Sequence, residues 1–242
     1  MPRFRSPALL AAVCGLLLAS TLLAAGTGAN GPSRTVTAQL ATPATYSCDF
    51  AGTPAATPAM AMMDGEATPT TMDFDQTYID MMLPHHASVI ALAQAALPRL
   101  QNADLQTIAM NIISSQRAER QELSGYREQF YGSATPEPVD VVMEAMATTM
   151  PEAHDLMMAD MAMMDSDALV AEFCARSDAD LAFIDLVIPH HQSAIAASQV
   201  AVTQATHPEI RAFAQRVIDA QQAEVDQMTA IRATLTTATP GS

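Results

Sequence analysis

One stretch of this chain occurs twice, 105 residues apart, and the repeat constrains the fold more than any other feature. Residues 74–97 read FDQTYIDMMLPHHASVIALAQAAL, and residues 179–202 read ADLAFIDLVIPHHQSAIAASQVAV. The correspondence continues without a gap from LQTIAMNIISSQRAERQEL at 105–123 to IRAFAQRVIDAQQAEVDQM at 210–228. A unit of about sixty residues has therefore been duplicated.

Each repeat predicts two helices joined as an antiparallel hairpin. Apolar residues recur at helical spacing in both of its segments. Pro98 and Asn102 interrupt the first repeat between the two segments, and Thr206, His207 and Pro208 interrupt the second. A lone hairpin cannot bury its apolar stripes, whereas two related hairpins packed face to face can. The sequence thus predicts an all-α fold, a four-helix bundle of two duplicated αα-hairpins with a Met-rich helical segment between them.

Further segments flank the hairpins. We predict a signal peptide or membrane anchor at 1–29 and an Ala/Thr/Pro-rich disordered linker at 30–72. The first hairpin is predicted at 73–131, a Met-rich helical connector at 132–174, the second hairpin at 175–235 and a tail at 236–242. Arg3 and Arg5 before the uncharged apolar run 8–25 are typical of a secretory signal. The run is also long enough for membrane anchoring. We therefore expect an extracytoplasmic protein, in the periplasm, at the cell surface or secreted.

Two cysteines follow the signal segment, Cys48 and Cys174. Outside the cytoplasm such an even pair favours a disulfide, which would tie the N-terminal arm to the helical body. The competing interpretation is two separate thiols, one of them a soft metal ligand.

The balance of charge limits the class of partner. The formal net charge is −15, with 26 acidic residues against 11 basic ones. Nucleic acids and anionic membrane surfaces are bound through basic patches, so the composition argues against both. Metal ions are the partners that this charge favours.

Polar side chains recur at equivalent positions along the otherwise apolar helix faces of the two repeats. With the first turn centred near residue 100, His85 and His86 lie level with Gln116, and Met82 lies level with Glu119. The corresponding polar residues of the second repeat are His190, His191, Gln221 and Glu224. Burial without partners would be costly, so these groups satisfy one another, bind water or bind a ligand.

A transition metal is one such ligand. Imidazole suits Cu(II), Zn(II) and Ni(II), and a thioether suits Cu(I) or Ag(I). Met81 and Met82 precede His85 and His86 by four residues each, so both pairs could chelate from one helix face.

The second repeat is expected to hold soft metals less well, because Leu186 and Val187 replace the two methionines. Asp80 and Asp185 project off the stripe and are poorer ligand candidates. The alternative for the whole set is structural, with a buried His–Gln–Glu network that fixes the helix register.

Residues 141–164 carry eight methionines and one histidine in 24 positions. Pro151 can open a helix at its first position. From there one face is predicted to present a histidine and three methionines: His154, Met157, Met158 and Met161. Clustered thioethers with an imidazole suit Cu(I), although methionine is also a flexible filler of cores.

The repeated sequences YIDMMLPHHASVIALAQAA and FIDLVIPHHQSAIAASQVA, followed by QRAERQEL and QQAEVDQM, resemble the domain-of-unknown-function-305 family. The resemblance covers about 73–235 as two tandem copies. It implies a ferritin-like helical bundle of an exported bacterial protein, and some members bind copper in the periplasm and are linked to copper resistance. It marks the positions Asp80, Met81, Met82, His85, His86, Gln116, Glu119, Asp185, His190, His191, Gln221 and Glu224.

These features predict an extracytoplasmic protein that binds and sequesters copper, with zinc or silver as further candidates and a metal-receiving protein as a partner. No enzymatic activity is predicted, since the chain has no Gly-rich phosphate loop and no H-E-x-x-H or E-x-x-H pair. The alternative is a structural or interaction module without a metal role.

Overall fold

The computed structural model describes residues 46–50 and 72–237. The helices are α1 (Phe74–Ala96), α2 (Ala103–Tyr131), α3 (Val139–Thr149), α4 (Pro151–Ala159), α5 (Ser166–Cys174), α6 (Ala179–Gln204) and α7 (Pro208–Thr237). Two 3-10 turns, Cys48–Phe50 and Met161–Met164, complete the secondary structure, and these described ranges contain no strand. The all-α prediction is confirmed. The signal or anchor segment, most of the linker and the last five residues lie outside the described residues.

Local sequence sets the ends of the hairpin helices. The side chain of Asp73 accepts a hydrogen bond from the Gln76 backbone N–H at 2.9 Å and so caps α1. Asn102 caps α2 in the same way, and Gly132, at a φ of 77°, ends it in the left-handed conformation. α7 begins at Pro208, which needs no N–H partner at this position. The predicted interruptions between the helices of each hairpin are therefore confirmed.

The two hairpins pack against each other in an approximately twofold arrangement. α1 pairs with α2, α6 pairs with α7, and α1 packs on α6. Asp75 accepts hydrogen bonds from the backbone N–H groups of 206 and 207, at 2.9 and 2.8 Å. Its equivalent 105 positions later, Asp180, accepts from those of 101 and 102, at 2.9 and 3.1 Å. Each hairpin thus caps the turn of the other, and the duplication in sequence is a duplication in structure.

The connector between the hairpins lies over the central helices. α3, α5 and the 3-10 turn 161–164 pack on α1, and α4 packs on α6. Met146 and Met157 are fully buried in the core, as is Phe173. Cys48 and Cys174 form a disulfide with their Cα atoms 5.4 Å apart, which is the pairing that the sequence favoured. Among the described residues, every helix is too short or too polar to span a bilayer.

Candidate metal centre

Two histidine rings meet where α1 contacts α6. The centroids of the His85 and His190 rings are 3.7 Å apart, with an interplanar angle of 38°. Both side chains are fully buried. His85 Nε2 lies 2.9 Å from Ser193 Oγ, and His190 Nε2 lies 3.0 Å from Ser88 Oγ. Because these partners are equivalent residues of the two repeats, the pseudo-twofold axis passes between the rings.

The serine contacts determine which ring nitrogen carries the proton. A hydroxyl has one proton to donate. Ser88 Oγ donates it to a carbonyl, with the His85 and Met163 oxygens at 2.7 and 2.5 Å. Ser193 Oγ has the His190 carbonyl at 2.7 Å. Each hydroxyl therefore accepts from the opposite imidazole, so Nε2 is protonated and Nδ1 keeps its lone pair.

Burial lowers the pKa of both central imidazoles well below the ordinary value of 6.5, because the charged form loses its hydration. Neighbouring imidazoles lower it further: chiefly His190 acts on His85, and chiefly His191 acts on His190. The rings are thus neutral at neutral pH. Their Nδ1 atoms are buried and have no hydrogen-bond partner.

The second histidine of each motif meets a carboxylate on the partner helix of its own hairpin. His86 Nε2 lies 2.9 Å from Glu119 Oε2, and His191 Nε2 lies 2.7 Å from Glu224 Oε2. Nε2–H donates a hydrogen bond to the carboxylate, and the buried Nδ1 is again without a partner. In all four imidazoles a hydrogen bond at Nε2 therefore fixes the orientation of the ring, and Nδ1 has no hydrogen-bond partner. A carboxylate or hydroxyl on the far nitrogen is how proteins orient metal-binding histidines.

The side-chain partner of His86 differs from the residue predicted to lie level with it. Glu119, rather than Gln116, meets the histidine of α1. Side chains lean toward the N-terminus of their own helix, so His86 reaches toward the level of Met82, where the returning helix carries Glu119. Gln116 and Gln221 are buried, and their side-chain amides have no partner in the described structure.

The other predicted residues of α1 and α6 contact apolar side chains or arginines. Met81 and Met82 are fully buried in the core cluster that also holds Leu83. Asp80 and Asp185 point to arginines, at 2.7 Å from Arg127 and 2.9 Å from Arg232. The two aspartates hold hairpin helices together and do not join the histidines, which agrees with their placement off the stripe.

The predicted face of the Met-rich helix lies only partly on one helix: His154, Met157 and Met158 belong to α4, and Met161 lies beyond its end. Asp160 ends α4 and its side chain accepts a hydrogen bond from the Ala162 N–H at 3.1 Å, which starts a separate 3-10 turn. Met157 is fully buried, whereas Met158 and Met161 are 51% and 42% exposed. His154 is partly exposed beside Asp155.

Sequence reasoning missed three residues of the centre: Ser88, Ser193 and Met163. Met163 is buried, and its sulfur lies 3.6 Å from Ser193 Oγ. A serine three positions after the first histidine in both repeats was the available signal. Nothing in the sequence marked Met163 among the eight methionines of its segment.

The donor set fits a metal only in part. Within the part of the chain that the structure describes, no three His, Cys, Asp or Glu side chains already converge as a metal site. The four buried Nδ1 atoms nevertheless have no hydrogen-bond partner, and buried polar atoms are normally paired. Neutral imidazoles with a thioether nearby are a donor set for copper or silver.

Two equivalent helical hairpins with histidines at their contact define a helical-bundle protein with a buried imidazole cluster. The chain belongs to the family described as domain of unknown function DUF305, whose sequence profile matches residues 75–232. The match runs as one segment through both repeats and the connector, so it does not confirm two tandem copies of the family domain. None of the curated proteins matches this chain.

Solved structures of similar fold include copper-bound proteins. CopM in the Cu(II)-bound form is 30% identical, with a TM-score of 0.52 over 66% of this chain and 97% of CopM. CopM in the Cu(I)-bound form is 27% identical, with a TM-score of 0.51 over 66% of this chain and 96% of CopM. A DUF305 protein from Streptomyces coelicolor, 18% identical, shares the fold with a TM-score of 0.55 over 70% of this chain and 98% of its own.

Proposed function

We propose that this protein binds copper ions through its buried histidine cluster and sequesters them outside the cytoplasm. One observation carries the proposal: four buried imidazoles are each fixed at Nε2 and each have an unpartnered Nδ1. Leaving such an acceptor buried and unpaired costs about 1–3 kcal/mol. A bound metal would remove this cost while using orientations that already exist.

The similarity to CopM supports the choice of metal. CopM has been solved with Cu(I), with Cu(II) and with silver, and those structures are 27–30% identical to this chain. Copper is here the cargo. The residues that would hold it are His85, His86, His190 and His191.

The disulfide supports the location, because such bonds persist in oxidising compartments. The apolar run at 8–25 lies outside the described residues, so export and membrane anchoring through it stay predictions from the sequence. Transfer of copper to a receiving protein, and a binding rather than an enzymatic role, belong to the same proposal. Zinc and silver are competing ions to be tested beside copper.

The proposal is tested with a variant in which the four cluster histidines are replaced by glutamine. Glutamine keeps a donor near the Nε2 position and removes the Nδ1 lone pair. His207→Asn is the matched control, because Asn102 is the natural residue at the equivalent position of the first repeat.

Melting curves with Cu(II), Cu(I), Ag(I) and Zn(II) give the readout. A ligand at one hundred times its Kd stabilises the fold by about 2.7 kcal/mol, which is a rise of roughly 5–10 °C for a domain of this size. We expect this rise in the wild type and in His207→Asn, and its loss in the four-glutamine variant. Equal metal content by elemental analysis in all three proteins would refute the histidine assignment.

A structural role is the second candidate, and the satisfied Nε2 atoms favour it. In that case the glutamine variant unfolds more readily than the wild type, and no metal raises the melting temperature of either. That combination would contradict copper binding.

A further inference from the structure

An arginine donates a hydrogen bond to one sulfur atom of the disulfide. Arg99 lies in the turn between α1 and α2, and its Nη1 is 3.1 Å from Cys48 Sγ. Its Nη2 donates to the Arg176 carbonyl at 3.0 Å, and its guanidinium carbon lies 5.0 Å from the centre of the Phe173 ring. The carbonyl and the ring would hold the guanidinium in place even if the state of the sulfur changed.

The contact contributes differently in the two redox states of the cysteines. The sulfur of a disulfide is a weak acceptor, whereas a thiolate is an anion and forms a charge-assisted hydrogen bond with a guanidinium. Arg99 therefore stabilises Cys48 more strongly after the S–S bond has opened than before. A neighbouring cation lowers the pKa of a cysteine thiol from about 8.5 to about 7.5 or below, and a more acidic thiol leaves faster in exchange reactions.

The surroundings of Cys174 disfavour a thiolate. Cys174 is the last residue of α5, where the helix dipole is unfavourable for an anion. The nearby Arg176 is already paired with Glu172 at 2.5 Å. Asp49 is the neighbour of Cys48 in the chain, but its side chain is exposed, so water weakens its effect. The negative charge that bond opening releases is therefore better placed on Cys48 than on Cys174.

Both cysteines are only partly buried, so a thiol from solution can reach them. The bond joins the 3-10 turn Cys48–Phe50 to α5, on which that turn packs. Its opening would remove this covalent link. The segment before the first hairpin would then be joined to the bundle through the peptide chain that leads to α1.

We propose that the Cys48–Cys174 bond is a site of exchange with an external dithiol, in which Cys174 is attacked and Cys48 leaves beside Arg99. A thiolate of the dithiol bonds to Cys174 Sγ, the S–S bond breaks, and its electron pair goes to Cys48 as a thiolate. The second thiol of the dithiol then attacks its own partner sulfur in the mixed disulfide and releases Cys174. Both cysteines are thereby reduced, the dithiol is oxidised to a disulfide, and its two protons pass to the cysteines or to water.

The partner implied is a dithiol reductant, either a small molecule or a protein with paired cysteines. The site is separate from the histidine cluster in its residues and in its chemistry. The inference therefore stands or falls independently of the proposed copper binding.

The test follows the reduction of the metal-free full chain by dithiothreitol without oxygen, with alkylation and mass spectrometry to count open disulfides. Arg99→Gln removes the cation and Arg99→Lys keeps it. Arg117→Gln is the matched control, because Arg117 is exposed and lies about 20 Å along α2 from the turn that carries Arg99. We expect Arg99→Gln to be reduced at least about threefold more slowly than the wild type, since a less acidic thiol leaves more slowly. Arg99→Lys and Arg117→Gln should stay close to the wild type.

A monothiol gives a second readout that a merely structural role of Arg99 would not change. After brief exposure to glutathione and an acid quench, peptide mass spectrometry locates the mixed disulfide. We expect it mainly on Cys174 in the wild type and in Arg99→Lys, and on both cysteines in Arg99→Gln.

Equal or faster reduction of Arg99→Gln would overturn the proposal, because Arg99 would then be indifferent to the bond or would protect it. Glutathione spread evenly over both cysteines of the wild type would overturn it too. If Arg99→Gln does not fold, the position of the adduct in the wild type decides by itself.

Discussion

Two equivalent Asp–Arg pairs in different surroundings give a prediction with a built-in control. In the first hairpin Asp80 accepts from Arg127 Nε at 2.7 Å and Nη2 at 3.2 Å, and the two side chains are 0% and 4% exposed. In the second hairpin Asp185 lies 2.9 Å from Arg232, and the exposures are 31% and 50%. The pairs occupy the same place in the repeat. Asp80 also accepts from the Glu137 backbone N–H at 3.1 Å, and Asp185 also lies 3.7 Å from Arg176. The main remaining difference between the two replacements by asparagine is the burial of the pair.

The buried pair should cost far more to break. Loss of one partner from a buried ion pair costs about 3–5 kcal/mol, because a charge stays uncompensated. Arg127 would keep the Ser133 carbonyl at 3.0 Å and the Glu137 carboxylate at 3.2 Å, which favours the lower end, about 3 kcal/mol. For Asp185→Asn the expected loss is below about 1 kcal/mol, as for exposed pairs in general.

Urea denaturation of both variants at pH 7 measures these losses. The slope of unfolding free energy against urea should be the same in all proteins, since the fold is unchanged. On heating, Asp80→Asn should melt roughly 6–12 °C below the wild type, and Asp185→Asn within a few degrees of it. Equal losses in the two variants would show that burial of the first pair does not govern its contribution, and the reasoning would be refuted.

Two further predictions concern the disulfide and the histidine pair. Replacing Cys48 and Cys174 by serine should lower the free energy of unfolding by up to about 5 kcal/mol, because the bridge closes a loop of 126 residues; a loss below about 1 kcal/mol in urea would show that the bridge does not restrain the unfolded chain. Since burial lowers the pKa of His85 and His190 below 6.5, the unfolded state binds more protons below that pH, and stability should be constant between pH 7 and 8 and fall below 6.5 by up to about 1.4 kcal/mol per pH unit for each histidine. Urea denaturation of metal-free protein across this range checks it, and the same slope in the four-glutamine variant would contradict it.

Local signals in the sequence were sufficient for the helices. The spacing of apolar residues and the interruptions at Pro98 and Pro208 are local features of the chain. As these interruptions predict, the preceding helices end at Ala96 and Gln204. The partner of each histidine was harder to predict, because it depends on the direction in which side chains leave each helix. Counting Cα positions therefore paired His86 with Gln116, where the carboxylate of Glu119 is the actual partner.

The Met-rich connector shows where a periodic pattern misleads. A face of four residues required one continuous helix from Pro151 to Met161. A single capping aspartate, Asp160, ends that helix and starts a new turn. Spacing alone cannot distinguish a helix that continues from two short elements in succession, since both bury some methionines and expose others.

The helices, the duplication and the two His–His motifs can be predicted from the amino-acid sequence, because each depends on residues close together along the chain or on its repeat. The stacking of His85 on His190, the contacts of Met163 with Ser88 and Ser193, and the burial of Asp80 but not of Asp185 become visible in the folded protein alone. Stacking and burial depend on how one hairpin lies on the other and on which side the connector passes. Those positions are fixed by the packing of the whole core, which no short stretch of sequence contains.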